Sequence, residues 1–140
     1  IICYSVLEHV QDIDHSINEM VRVLKIGGKA YISTPDYNYP YEGHYKVYAP
    51  TFFGKNITKA YLKLIGRNPN FCNSLNFITQ RSLDKILRQK KSLSYFRVFS
   101  SYRSVPANSF KEKIIKLLVL IFDKVLNIQK NQEIILIKNG

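Results

Sequence analysis

The chain has 140 residues, of which 46% are apolar and 22% charged. These proportions exclude bulk disorder and bound the chain at one domain. The formal net charge of +11 is unevenly spread, with four Lys/Arg against six Asp/Glu in residues 1–50 and seventeen against four in residues 51–140.

The first segment, Ile1-Ile2-Cys3-Tyr4-Ser5-Val6, is apolar on both faces, which predicts a buried parallel strand. A chain that opens in mid-strand is expected to be part of a larger domain. Its start has no basic, apolar and small-residue leader pattern, so a cytoplasmic protein is expected. Asp12 suits an N-cap, and Ile13, Ile17, Met20, Val21 and Leu24 make a helical stripe. Arg22 and Lys25 fall where a helix end favours cations. Gly27-Gly28 is expected to stop this helix through a left-handed residue. Lys29 to Thr34 reads as the next strand, ended by Pro35. Strand, helix, turn and strand make a βαβ unit with a right-handed crossover.

Residues 36–53 read as an aromatic-rich loop with Tyr37, Tyr39, Tyr41, Tyr45, Tyr48, Phe52 and Phe53. Helices are expected over Lys55–Ile65, ended by Gly66 and Pro69, and over Gln80–Lys90. Alternation predicts a strand over Tyr95–Ser101. Phe110–Ile128 reads as a strongly apolar helix, interrupted by Lys113, Lys116, Asp123 and Lys124. Its apolar run is far short of the roughly 20 residues a membrane span needs. A core helix and a membrane-surface helix are the two readings. Glu133–Lys138 closes the chain as a strand. Cys3 and Cys72 belong to no Cys-x-x-Cys pair, so two reduced structural thiols are expected.

Leu7-Glu8-His9-Val10 with Asp12, then Arg22-Val23-Leu24-Lys25 and Gly27-Gly28, resemble the region of class I S-adenosylmethionine-dependent methyltransferases that spans the fourth strand, its helix and the fifth strand. The type 11 and type 23 group is the nearest pattern. Ile26 stands where that pattern has proline, which should loosen the turn. Asn76-Phe77-Ile78-Thr79 with Ser82-Leu83 and Ile86-Leu87 is similar to the segment that opens the family's next helix, with Ser74 where a histidine is common.

The resemblance implies an α/β Rossmann-like methyltransferase fold, incomplete, with a mixed sheet and a C-terminal antiparallel hairpin. Residues 1–140 would hold strands four to seven, and 36–78 would be a tyrosine-rich insertion over the substrate pocket. The cofactor would be S-adenosylmethionine, although the family's glycine-rich cofactor loop has no counterpart among these residues. On its own the chain is therefore expected to be inactive. Tyr4, Ser5 and Val6 would line the cofactor, and Glu8 and His9 would be the catalytic candidates, since strand C-termini carry the site and histidine titrates near neutral pH. A loop-orienting role for Glu8 and His9 is the competing reading. Tyr37, Tyr39, Tyr41, His44 and Tyr45 would contact the substrate; packing of these rings onto the core is the alternative. No metal is expected: some relatives that methylate hydroxyls bind a divalent cation with two acidic residues and the histidine matching His9, but the first acidic position is Ser5 here, and hard cations want several carboxylates.

The expected acceptor is a small molecule, lipid or saccharide. The net +13 of residues 51–140 raises two alternatives. One is a nucleic-acid methyltransferase. The other is a non-catalytic basic module that docks on membranes, with peripheral contact through 110–128. The scattered lysines also suit an ordinary solvated surface.

Overall fold

The computed structural model describes residues 1–98 and 129–140. The helix expected over 110–128 and the end of the strand expected to reach Ser101 lie outside the described residues.

Strand β1 (Ile2–Tyr4) pairs in parallel with β2 (Lys29–Pro35), Ile2 facing Tyr31 and Tyr4 facing Ser33. The expectation that β1 is buried on both faces is not met. Cys3 is buried, but Ile2 and Tyr4 are 81% and 60% exposed. β1 is the edge of the described sheet, and no described element covers its outer face.

Helix α1 (Ile13–Val23) joins the two strands. The Asp12 carboxylate accepts the His15 backbone N–H at 2.9 Å, satisfying one of the donors a helix start leaves free. Ile17 and Val21 are buried, with Ile13, Met20 and Leu24 packed against the same core.

The glycine pair does not stop this helix as the sequence suggests. The helix ends at Leu24, where the backbone turns extended. Gly27 (φ +73°) is the third residue of a turn closed by the Gly28 N–H donating to the Lys25 carbonyl at 2.8 Å. A type II turn demands that positive φ, and it survives with Ile26 in place of proline. A Cβ on Gly28 would lie 2.7 Å from the Lys25 carbonyl oxygen. Lys138 finishes α1, donating its ammonium to the carbonyls of Arg22 at 3.3 Å and Leu24 at 2.8 Å. A cation there complements the helix dipole.

Beyond β2 the chain is more ordered than a loop. Strands β3 (Tyr41–Glu42) and β4 (Val47–Tyr48) form a short antiparallel hairpin, followed by a 3-10 turn over Thr51–Phe53. Helix α2 (Lys55–Leu64) carries the glycine stop expected earlier in the chain. Gly66 has φ +74°, its N–H reaches the Lys63 carbonyl, and the Arg67 N–H reaches that of Leu62; this is the Schellman pattern. A second 3-10 stretch spans Pro69–Ser74. Helix α3 (Gln80–Arg88) opens with a reciprocal capping box between Thr79 and Ser82.

Strands β5 (Leu93–Val98) and β6 (Asn131–Lys138) are antiparallel to each other. The sheet order is β1-β2-β6-β5, and β6 is antiparallel to β2 as well. The last strand therefore inserts between its two neighbours, giving the mixed sheet and C-terminal hairpin of a Rossmann-like methyltransferase fold. Ala30, Ile32, Ile134 and Leu136 are fully buried between α1 and α3, together with Ile17, Leu83 and Leu87. Arg97 ties β5 to α3 by donating to the Asp84 carboxylate at 2.6 Å and the Gln80 carbonyl at 3.1 Å. Cys3 and Cys72 are both buried free thiols, and burial pushes both pKa values up. No helix among the described residues is long and apolar enough to cross a membrane.

Candidate functional site

The C-terminal ends of β1 and β2 lie side by side, so the segments that leave them meet above the sheet edge. Ser5 follows β1 with φ +51°, a left-handed conformation that is costly for a residue with a Cβ. Its N–H donates to the Ser33 carbonyl at 2.8 Å, which extends the β1–β2 ladder. Strain of this kind clusters at functional sites. Here it turns the chain so that Glu8 points inward and His9 outward.

Glu8 is 1% exposed and accepts a hydrogen bond from the Thr34 hydroxyl at 2.9 Å. Its backbone carbonyl accepts the Asn76 N–H at 2.7 Å. The Asn76 side chain donates to the carbonyls of Leu7 and Val10 at 3.3 and 2.6 Å. The 7–10 loop is thereby fixed from both sides, by β2 and by the segment leading into α3.

His9 is exposed, and its partner comes from the β3–β4 hairpin. The Nε2 atoms of His9 and His44 are 3.4 Å apart, with the rings edge to face. Phe71 packs against both imidazoles. On its other side His44 meets Glu42, with Nδ1 2.8 Å from Oε1. Glu42 is 1% exposed, and its second oxygen accepts the Tyr45 N–H at 2.7 Å. A carboxylate can only accept, so this contact puts the His44 proton on Nδ1 and turns Nε2 toward His9. Ligand atoms of Glu8, His9 and His44 all fall within 4.8 Å of one another.

The tyrosines expected to contact substrate divide. Tyr37 and Tyr39 are buried, because Tyr37 stacks on Phe77 with centroids 4.0 Å apart and Tyr39 belongs to the same core. The Tyr37 hydroxyl has no hydrogen-bond partner among the described residues; burial, with Glu42 and Glu8 nearby, pushes its pKa up. Tyr41 packs edge to face on Tyr48 and lies under the Lys130 ammonium. Tyr45 donates its hydroxyl to the Asn68 carbonyl at 2.8 Å, tying the hairpin to the Pro69–Ser74 segment. Of the five residues, His44 alone joins the Glu8–His9 pair. Tyr4 and Val6 sit exposed at the end of β1.

Glu42 and Asn76 were not among the sequence candidates for the site. The Glu-x-His spacing of Glu42 and His44 was the available signal for the first. The second lay within the matched Asn-Phe-Ile-Thr segment, but nothing in the sequence said that its amide reaches residues 7–10.

An α/β domain whose polar side chains gather beyond the C-terminal ends of parallel strands has the architecture of the Rossmann-like cofactor enzymes. Residues 1–32 match the family model described as methyltransferase domain. Over 54 residues the chain is 37% identical to an uncharacterized protein of Mycobacterium tuberculosis, found alike in strains CDC 1551 / Oshkosh and H37Rv. That match takes in 39% of this chain and 18% of the mycobacterial protein. Two solved structures align with all of the chain at TM-score 0.52. They are the plantazolicin methyltransferases BamL and BpumL, each in complex with a desmethylPZN analog and SAH, at 16% and 14% identity. The chain covers 53% and 51% of them, about half their length. In its fold the chain is similar to these S-adenosylhomocysteine-bound methyltransferases, and its first 32 residues match the methyltransferase domain model.

Proposed function

We propose that these residues form the acceptor side of an active site that transfers a methyl group from S-adenosylmethionine to a small molecule, lipid or saccharide. The observation that carries the reading is the convergence of the β1 end, with Tyr4, Ser5 and Val6, on the Glu8–His9–His44–Glu42 chain. Methyl transfer is a displacement in line with the sulfonium, so alignment of the acceptor supplies much of the rate. Tyr4 and Val6 would line the cofactor. His9, ordered by His44 and Glu42, would accept a proton from an acceptor hydroxyl or amine. Glu8, sequestered and bonded to Thr34, would position the loop rather than touch the acceptor. Tyr41, His44 and Tyr45 would border the acceptor, while the buried Tyr37 and Tyr39 would support that wall from behind.

BamL and BpumL, as complexes with plantazolicin analogs, set the scale of a natural-product acceptor. The net +13 of residues 51–140 keeps a nucleic acid as the second reading.

None of the six glycines stands in a Gly-x-Gly turn after a strand, so the 140 residues alone are expected to bind S-adenosylhomocysteine at no better than roughly millimolar Kd. Calorimetry giving a micromolar value would overturn the assignment to the acceptor side. Joined to a strand and glycine-rich cofactor turn, the same residues should support release of S-adenosylhomocysteine. His9→Ala should then lower kcat by about 100-fold or more. Unchanged turnover in that variant would remove His9 from the mechanism.

A further inference from the structure

We infer that Glu8, His9 and His44 form a site for a borderline divalent cation of the zinc type, with one coordination position left open toward the acceptor. That a metal ion binds here follows from the geometry alone; its role toward an acceptor rests on the function proposed above.

The argument begins with the two imidazoles. Nitrogen ligands lie about 2.0–2.1 Å from zinc, and a tetrahedral angle then sets two of them about 3.4 Å apart. The Nε2 atoms of His9 and His44 are 3.4 Å apart. As a direct N–H···N hydrogen bond that contact is long, since such bonds cluster at about 2.7–3.2 Å. As two lone pairs converging on one cation, the spacing is what the coordination sphere requires.

The second observation is independent of the first. His44 Nδ1 sits 2.8 Å from the Glu42 carboxylate, which is itself buried and anchored by the Tyr45 N–H. A metal-ligating histidine almost always gives its other ring N–H to a carboxylate or carbonyl, which fixes the tautomer and raises the basicity of the ligating nitrogen. Glu42 is placed to accept that N–H from His44.

The third ligand is Glu8, whose carboxylate lies within 4.8 Å of both ring nitrogens. One of its oxygens accepts from Thr34, a support of the kind ligating carboxylates carry. Glu8 would complete the set directly or through one bridging water. Two imidazoles and a carboxylate suit zinc or another first-row transition ion better than magnesium or calcium. Three protein ligands leave the open position typical of catalytic zinc. A hydroxyl or phenol oxygen of the acceptor would fill it, and the cation would then ease loss of that oxygen's proton, in place of proton acceptance at the His9 Nε2 it occupies. The expectation of no metal rested on Ser5 replacing an acidic ligand; His44, 35 residues away from His9, supplies a donor in its place.

The test uses the metal-stripped chain, titrated with zinc alone against a chromophoric chelator, without cofactor or acceptor. One zinc per chain at roughly micromolar Kd or tighter is expected. Glu42→Gln should weaken it about 10–100-fold, and His9→Ala and His44→Gln should weaken it at least as much. His15→Ala should leave it unchanged, because His15 lies on α1 outside the Glu8–His9–His44 group. Circular dichroism confirms that each variant is folded. Cobalt in place of zinc should give the intense visible bands of a tetrahedral site. Absence of stoichiometric binding overturns the proposal, as does binding that survives both His9→Ala and His44→Gln. Failure here leaves methyl transfer intact, and loss of methyl transfer leaves zinc binding intact, so the two readings fail separately.

Discussion

The side-chain amide of Asn76 donates to the carbonyl of Val10 at 2.6 Å, across 66 residues of sequence. The same nitrogen reaches the Leu7 carbonyl, and the Asn76 N–H reaches that of Glu8. Three carbonyls of the loop that presents His9 are thus held by one residue. Leaving such acceptors unmatched costs about 1–3 kcal/mol where they are buried. Asn76→Ala is expected to lower unfolding stability by that amount in urea denaturation, and to weaken zinc binding by releasing His9. Asn76→Asp should be at least as damaging, since a carboxylate would face carbonyl oxygens. Equal stability of wild type and Asn76→Ala would show that the clamp contributes nothing.

Much of the fold was legible because local rules acted alone. The Asp12 cap and the Ile13–Leu24 stripe specify α1 without help from distant residues. The last strand was legible as well, since Ile134 and Leu136 alternate toward the core. The Gly27-Gly28 pair misled because a glycine after a helical stripe can be either a helix stop or part of a turn. The Lys138 ammonium at the helix end settles which, and it comes from the far end of the chain. The two-residue strands of the β3–β4 hairpin are too short for an alternating pattern. His9 looked solitary because its partner arrives on that hairpin. Tyr37 and Tyr39 read as ligand faces for a related reason: ring chemistry is the same in a pocket and in a core, and only burial distinguishes them.

The Thr79–Ser82 capping box gives a second prediction. The Thr79 hydroxyl accepts the Ser82 N–H at 3.2 Å, and the Ser82 hydroxyl accepts the Thr79 N–H at 2.9 Å. Thr79→Ala should cost about 1 kcal/mol, with Ser82→Ala smaller, because the cap residue serves the helix start directly. Thr79→Asp retains an acceptor and should recover most of the loss. Thermal unfolding of the three variants decides it; an alanine variant as stable as wild type rules the cap out as a stabiliser.

Ser5 supplies a third. Its φ of +51° is tolerated by short polar side chains and badly by β-branched ones. Ser5→Val should therefore destabilise by about 1–2 kcal/mol, although the side chain is exposed and valine suits strands elsewhere. Ser5→Asn should be close to neutral, since asparagine visits this region readily. An exposed serine in ordinary strand geometry would give the opposite order. Guanidinium midpoints for the two variants separate these cases.

The charge asymmetry yields a fourth. If the net +13 of residues 51–140 serves a nucleic-acid acceptor, binding to a short duplex must weaken steeply with salt, because phosphate contacts release counterions. For a small-molecule acceptor, duplex affinity at about 0.15 M salt should be no better than the roughly 10⁻⁴–10⁻⁶ M of non-specific binding. The second outcome is expected, since the His9–His44 pair is flanked by the carboxylates of Glu8 and Glu42, which repel phosphate. Fluorescence anisotropy across a salt series reads the slope. A submicromolar Kd at physiological salt would favour the nucleic-acid reading instead.

Asp36, the first residue after β2, provides the fifth. It is 1% exposed. One carboxyl oxygen accepts the Asn38 N–H at 3.0 Å, and the other has no hydrogen-bond partner among the described residues. Burial is the main cause that raises its pKa above the ordinary 3.8, because desolvation disfavours the charged form. The folded chain therefore holds this proton to higher pH than the unfolded chain does. Between 3.8 and the raised folded value, the native state binds more protons, so stability falls as pH rises and the loss is complete above that window. Asp36→Asn has no proton to release and can still accept from Asn38. Relative to wild type, the variant should gain stability as pH is raised from about 4 to 7, and the difference between the two curves cancels the other carboxyls. Unfolding free energies from urea titrations at several pH values give that difference. Parallel curves would mean that Asp36 carries no such penalty, and that its second oxygen is solvated in the native protein.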